Sequence, residues 1–219
     1  MPRTRRNYLE QAVRLVVSDH PDVVCLQEVP LWCRHRLVGW SEMRLVWNSA
    51  RRVWFPPRLG GWITRLDQGF FRSAVSGQAN AILFDRRLEP LEQRWSVISR
   101  GRRERRICQA VRLQGMVVAN LHASGVAGHP EVGADEALRA LAFVEALAQP
   151  GDALVFAGDF NLRPSQLPDL PGFSPPGGGI DHILVRGASA GPIEVWPEAE
   201  RTTEVGVLSD HAPIQLRVG

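Results

Sequence analysis

Short apolar runs recur along this chain, and one after another they stop on an acid, an amide or a histidine. Asp22-Val-Val-Cys-Leu-Gln-Glu28 closes on Gln27 and Glu28, and Met116-Val-Val-Ala-Asn-Leu-His122 closes on His122. Ala153-Leu-Val-Phe-Ala157 runs straight into Gly158-Asp159-Phe160-Asn161, Asp181 opens the run 180–185, and Asp210-His211 precede Ala-Pro-Ile. Runs this short and this rich in β-branched residues fit buried strands better than helices. Further strands are expected at 43–47, 79–84, 95–99, 106–113, 193–196 and 212–218, with a hairpin at Gln114-Gly115. Apolar repeats at helical spacing predict helices over 7–18, near 31–38 and over 135–148, the last on Leu138, Leu141, Ala142, Val144, Leu147 and Ala148. The stretch 163–179, full of proline and glycine, reads as loop. Many strands and few helices, with no internal repeat, predict an α/β fold of two packed sheets with helices outside.

Composition narrows the class. The 219 residues suit one domain spanning 1–219, and 44% hydrophobic with 22% charged residues excludes wholesale disorder. No apolar run reaches the ~20 residues of a membrane helix, and the N-terminal stretch lacks the apolar core of a signal peptide. Cys25, Cys33 and Cys108 are odd in number and show no CxxC spacing, which argues against a disulfide framework or zinc site and for a reducing, cytoplasmic setting. The net charge is +3, and all 26 cationic residues are arginines, forked donors suited to phosphate. Their densest run, Arg100–Arg106, reads either as a solvated loop and strand edge or as a phosphate-contacting rim. Five of seven tryptophans (Trp32, Trp40, Trp47, Trp54 and Trp62) fall within 31–77. Local packing is the first reading for them and a substrate-facing wall the second.

The strand-end residues share one chemistry. Carboxylates and an amide oxygen suit a hard cation such as Mg2+ that bridges to phosphate. Histidine moves protons near neutral pH, and an Asp behind it fixes its tautomer. The GxSxG, P-loop and HExxH patterns are absent. Metal-assisted hydrolysis of a phosphoester is the chemistry this set fits.

In order along the chain, Leu26-Gln-Glu-Val29, Asn80-Ala-Ile-Leu83, Asn120-Leu-His122, Gly158-Asp-Phe-Asn161, Ile180-Asp-His-Ile-Leu-Val185 and Ser209-Asp-His-Ala-Pro213 resemble the motifs of the endonuclease/exonuclease/phosphatase superfamily. The resemblance implies a four-layer α/β sandwich of two mostly antiparallel sheets flanked by helices, with the site at one end. It implies a phosphoester hydrolase dependent on Mg2+ or Mn2+, with a phosphate-ester partner, nucleic acid among the options. By the same resemblance Glu28 matches the metal-binding glutamate, and Asp159 and Asn161 the pair that orients water and contacts phosphate. His211 matches the catalytic histidine, with Asp181 as its partner carboxylate. Asp210 matches the acidic neighbour near the metal, and His122 the second histidine of deoxyribonuclease-like and sphingomyelinase-like branches. Asn80 stands where that histidine's partner lies.

Two departures accompany the match. Asn120-Leu-His-Ala-Ser124 stands where abasic-site endonucleases carry a tyrosine-containing segment. The first strand of the superfamily, which ends in an asparagine, has no counterpart, and Asn7 does not replace it. A chain without that strand is expected to be poorly stable or weakly active. On the order of the motifs and the arginine content, a nuclease-like phosphodiesterase is the leading reading. A phospholipid or inositol-phosphate esterase and a non-catalytic module on the same fold are the alternatives.

Overall fold

The computed structural model describes residues 8–49, 78–100, 105–177, 179–204, 206–209 and 211–219. Trp54, Trp62, Asn7, Asp210 and most of the Arg100–Arg106 run lie outside the described residues. Among the described residues the chain opens on helix α1 (Leu9–Val16), followed by β1 (Val23–Pro30), a 3-10 turn (Leu31–Cys33), α2 (Arg34–Ser41), β2 (Arg44–Asn48) and β3 (Gln78–Phe84). Then come β4 (Glu92–Val97), β5 (Ile107–Leu113), β6 (Met116–His122), α3 (Pro130–Glu145), β7 (Ala153–Asp159) and β8 (Asp181–Arg186). Four two-residue strands complete it: β9 (Glu194–Val195), β10 (Thr202–Thr203), β11 (Gly206–Val207) and β12 (Ile214–Gln215).

Two sheets form the centre. One has the antiparallel order β1-β3-β2, and the other has the order β4-β5-β6-β7-β8, with only β6 and β7 parallel. Alternation along each strand sorts side chains into three apolar layers. Val46, Ile82 and Phe84 of the first sheet meet Val111, Val118, Val155 and Val185 of the second. Ala81 and Leu83 face outward to Val13 of α1 and Leu37 of α2. Ala110, Val117, Ala119 and Leu121 face outward to Ala137, Ala140, Leu141 and Val144 of α3. The result is the expected helix–sheet–sheet–helix sandwich.

Several boundaries differ from expectation. Helix α3 begins at Pro130 rather than Asp135, because proline suits the first helical turn, where no amide hydrogen is needed. Its buried stripe is Gly133, Glu136, Ala137, Ala140, Leu141 and Val144, and Leu138 is exposed. Small residues let the helix axis approach the sheet more closely than a leucine stripe would. Strand β4 begins three residues and ends two residues earlier than expected, and the run 212–218 is strand only at Ile214–Gln215, with an isolated bridge from Val218 to Ala190. The first three positions of the expected 31–38 helix are 3-10, and the α-helix runs on to Ser41. Trp32, Trp40 and Trp47 pack against the α1–α2 layer, as the local-packing reading anticipated.

Candidate active site

Register builds the site. His122 of β6 is paired with Asp159 of β7, and Asp159 with Asp181 of β8. Three adjacent strands therefore set His122, Asp159 and Asp181 in one cross-strand row. All three point to the inter-sheet face, two or four residues beyond the apolar positions on the same strands. A non-polar interior thus gives way to a polar end over a single turn of the pleat.

The row is closed from outside by His211, whose Nδ1 lies 2.8 Å from Asp181 Oδ2. The His211 backbone N–H donates to Ser209 Oγ at 3.2 Å, and Arg201 donates to the Ser209 carbonyl at 2.6 Å. Arg201 carried no sequence signal; only the folded loop reveals it. Asp159, Asp181 and His211 offer one ligand atom each, all within 4.8 Å of one another, a spacing that one cation can bridge. Burial pushes the Asp159 carboxyl up to about 6, the charges of Asp181 and Glu28 add to the rise, and the Asn161 amide and His211 oppose it.

Glu28 reaches this end through a bulge. The β1–β3 register shifts between Leu26 and Val29, and Glu28 sits at φ 53°. A left-handed glutamate inside a strand is held by its surroundings rather than by preference. Asn120, fully buried on β6, donates from Nδ2 to the carbonyls of Leu26 (2.9 Å) and Ala81 (3.0 Å), and its Oδ1 accepts from Gln27 Nε2 at 2.7 Å. Those carbonyls border the bulge, so one amide from the opposite sheet satisfies the backbone that the bulge leaves open. Gln27 and Asn120 were visible only as letters inside motifs; their joint role needed both sheets.

Asn161 follows Asp159 at φ 53°, with its N–H on Asp159 Oδ1 (2.8 Å) and its Nδ2 on the Ala123 carbonyl (2.9 Å). Phe160 between them is fully buried. Gly158, at φ +139°, lies so close to β6 that a Cβ there would stand 2.0 Å from the Leu121 carbonyl oxygen.

His122 departs from the expectation for its partner. Asn80 donates to the carbonyls of Ile107 (3.2 Å) and Asn120 (3.5 Å) and makes no hydrogen bond to His122. Arg106 takes that place, its Nη1 lying 2.7 Å from His122 Nε2 and 3.0 Å from Nδ1. A guanidinium only donates, so His122 must present it a bare ring nitrogen. Burial pushes the imidazole down to about 3, with the charges of Arg106 and His211 adding to the fall. The Arg106 end of the arginine run thus faces the site, whereas Arg100 lies 3.8 Å from Asp135 on α3.

The sequence of residues 2–211 matches the family model described as Endonuclease/Exonuclease/phosphatase family. The chain belongs to this family. Its sandwich is that of an endonuclease/exonuclease/phosphatase protein, and the general class of activity is metal-dependent phosphoester hydrolysis. No curated protein sequence matches the chain. Among solved structures it is similar to truncated TDP2 of Caenorhabditis elegans, at 15% identity and a TM-score of 0.70, over 96% of this chain and 89% of that one. It is likewise similar to a Bacteroides vulgatus endonuclease/exonuclease/phosphatase, at 15% identity and a TM-score of 0.66, over 96% and 90%. A 2′,3′-cyclic phosphatase, ANGEL2, matches at 15% identity and a TM-score of 0.53 over 72% of this chain and 44% of that one. At such identities the likeness is one of fold. Among the described residues no helix is long and apolar enough to cross a membrane.

Proposed function

We propose that the chain is a divalent-metal-dependent phosphodiesterase of the endonuclease-like kind, hydrolysing its ester by attack of a water on phosphorus. The observation that carries the reading is the row His122–Asp159–Asp181 closed by His211 at 2.8 Å. The Asp159 and Asp181 carboxylates of this cluster are hard oxygen donors that suit Mg2+ or Mn2+. Burial first, and then the charges of Asp181 and Glu28, raise the Asp159 carboxyl, and a cation held there would favour its ionised form. Glu28, Asp159 and Asp181 are the donors proposed to hold the ion, with Asp210 as a further carboxylate from the sequence pattern. A bound cation supplies charge neutralisation at a phosphoryl oxygen and acidifies water.

The protein groups divide the remaining work. Asp181 accepts from His211 Nδ1 and so orients the ring, and His211 exchanges a proton with the attacking water. Asp159 and Asn161, tied together by the Asn161 N–H bond to Asp159 Oδ1, orient that water and contact the phosphate. His122, held neutral against Arg106, borders the ester without adding a charge. Asn80 is a support, its amide spanning two backbone carbonyls beneath the row.

The test is hydrolysis of bis(p-nitrophenyl) phosphate and plasmid DNA with Mg2+ or Mn2+, with and without chelator. Chelation, Asp159→Ala and His211→Ala are each expected to abolish turnover. Activity that survives chelator, or survives both substitutions together, overturns the reading. Faster cleavage of sphingomyelin or a phosphoinositide than of DNA moves the substrate to phospholipid or inositol phosphate. Failure of both hydrolysis and calorimetric metal binding leaves a binding module.

A further inference from the structure

Glu136 is a buried carboxylate with no part in the chemistry proposed above. It lies on the sheet-facing side of α3 at 2% exposure, and no arginine or histidine among the described residues pairs with it. Both of its oxygens go to one residue: Oε2 accepts from the Ser124 backbone N–H at 2.7 Å, and Oε1 from the Ser124 hydroxyl at 3.0 Å. A buried polar side chain must find partners for both of its oxygens, and here a single serine supplies the two. An apolar contact would serve packing alone.

What Ser124 adjoins explains the arrangement. Ala123, immediately before it, donates from its N–H to the Asp159 carbonyl at 2.9 Å and accepts the Asn161 side-chain amide on its own carbonyl at 2.9 Å. Gly125, immediately after it, lies against the Asn161 side chain so closely that a Cβ would stand 2.7 Å from Asn161 Oδ1. The segment 123–125 is therefore the seat of Asn161, which is itself held at φ 53°. The other side of the segment is set by α3, where a Cβ on Gly133 would stand 3.2 Å from the Ser124 carbonyl oxygen. Ser124 is the link between the helix and that seat, and the Glu136 carboxylate fixes it with two bonds.

We infer that Glu136 is a positioning residue: through Ser124 it holds segment 123–125 as the seat that presents the Asn161 amide to the substrate. The inference rests on the phosphodiesterase reading, in which Asn161 meets the water and phosphate. Glutamine is expected to substitute for it, since its oxygen accepts the Ser124 N–H while its amide donates to the rotatable Ser124 hydroxyl.

The experiment is a double-mutant cycle on bis(p-nitrophenyl) phosphate turnover, with circular dichroism confirming that each protein is folded. Glu136→Ala is expected to lower kcat by about 30-fold or more with KM within about threefold, the scale of an ångström-level misplacement. Glu136→Gln is expected to stay within about threefold of the parent chain in kcat. In an Asn161→Ala background, Glu136→Ala is expected to cost less than about threefold further, because the two act as one unit. If Glu136→Ala does not fold, Ser124→Ala takes its place in the cycle, with a fall of about five- to tenfold that vanishes in the Asn161→Ala background. Full additivity, or an unchanged kcat in the folded single variant, overturns the inference while leaving the phosphodiesterase reading intact. A parent chain that cleaves no phosphodiester with any added cation overturns both.

Discussion

Three glycines allow backbone strain, backbone overlap and site geometry to be perturbed separately. Gly158→Ala combines the first two. At φ +139° an alanine is strained, at about 1–3 kcal/mol. Its Cβ would also stand 2.0 Å from the Leu121 oxygen and 2.8 Å from the Leu121 carbonyl carbon and nitrogen, all backbone atoms of the paired strand. Relief requires β6 and β7 to part by more than about 1 Å, an overpacking cost of about another 1–3 kcal/mol. A total near 4 kcal/mol is about 2 M in urea midpoint at a slope of roughly 2 kcal/mol per molar. Gly115→Ala supplies the control for strain alone, since φ is +73° and nothing lies within 4 Å; about 1 kcal/mol is expected. Gly125→Ala supplies the complement, because its nearest atom is the end of the Asn161 side chain at 2.7 Å. It should leave the urea midpoint within about 0.5 M yet cut turnover by about tenfold or more. Urea titration followed by tryptophan fluorescence, with bis(p-nitrophenyl) phosphate hydrolysis in parallel, reads all three. A Gly158→Ala protein as stable as Gly115→Ala would refute the packing argument. A Gly125→Ala protein that loses stability but keeps full activity would refute the assignment of the site.

Two further outcomes follow from the shifted ionisations. Asp159 is raised from an ordinary value near 3.8 to about 6, so the metal-free fold loses stability from this group as pH rises through that interval. Asp159→Asn should therefore raise the thermal midpoint of the metal-free chain at pH 7, by at most about 3 kcal/mol of stability, while abolishing hydrolysis; an unchanged or lower midpoint at pH 7 contradicts the reading. His122 is pushed from 6.5 down to about 3, so its contribution is present above pH 6.5 and is lost as pH falls toward 3. His122→Gln should flatten the acid side of the stability profile by up to about 1.4 kcal/mol per pH unit, and chemical denaturation at pH 6.5, 5.5 and 4.5 checks it. A parallel profile for the two proteins shows that the imidazole titrates normally.

The strand-end residues were legible because they are local. Apolar alternation fixes which face a residue takes, and a polar residue one pleat beyond a core position must sit at the sheet's end. His122, Asp159, Asn161 and Asp181 could thus be named from runs of a few letters. The limits of α3 were less legible, since its contact stripe uses Gly133, Ala137 and Ala140, which carry a weaker periodic signal than the leucines beside them.

What the sequence by itself determined is the eight longer strands, the layered class and the run of polar residues at strand ends. Tertiary structure alone decided which of them meet. Asn120 satisfies a bulge in a strand of the other sheet, Arg106 rather than Asn80 borders His122, and Glu136 grips the segment that seats Asn161. The first contact spans 94 residues and joins the two sheets, the second spans 16 residues around the β5–β6 hairpin, and the third spans 12 between the segment after β6 and α3. Pleat and helix periodicity reach only a few residues, so even the shorter of these pairings depend on register and on how neighbouring elements pack.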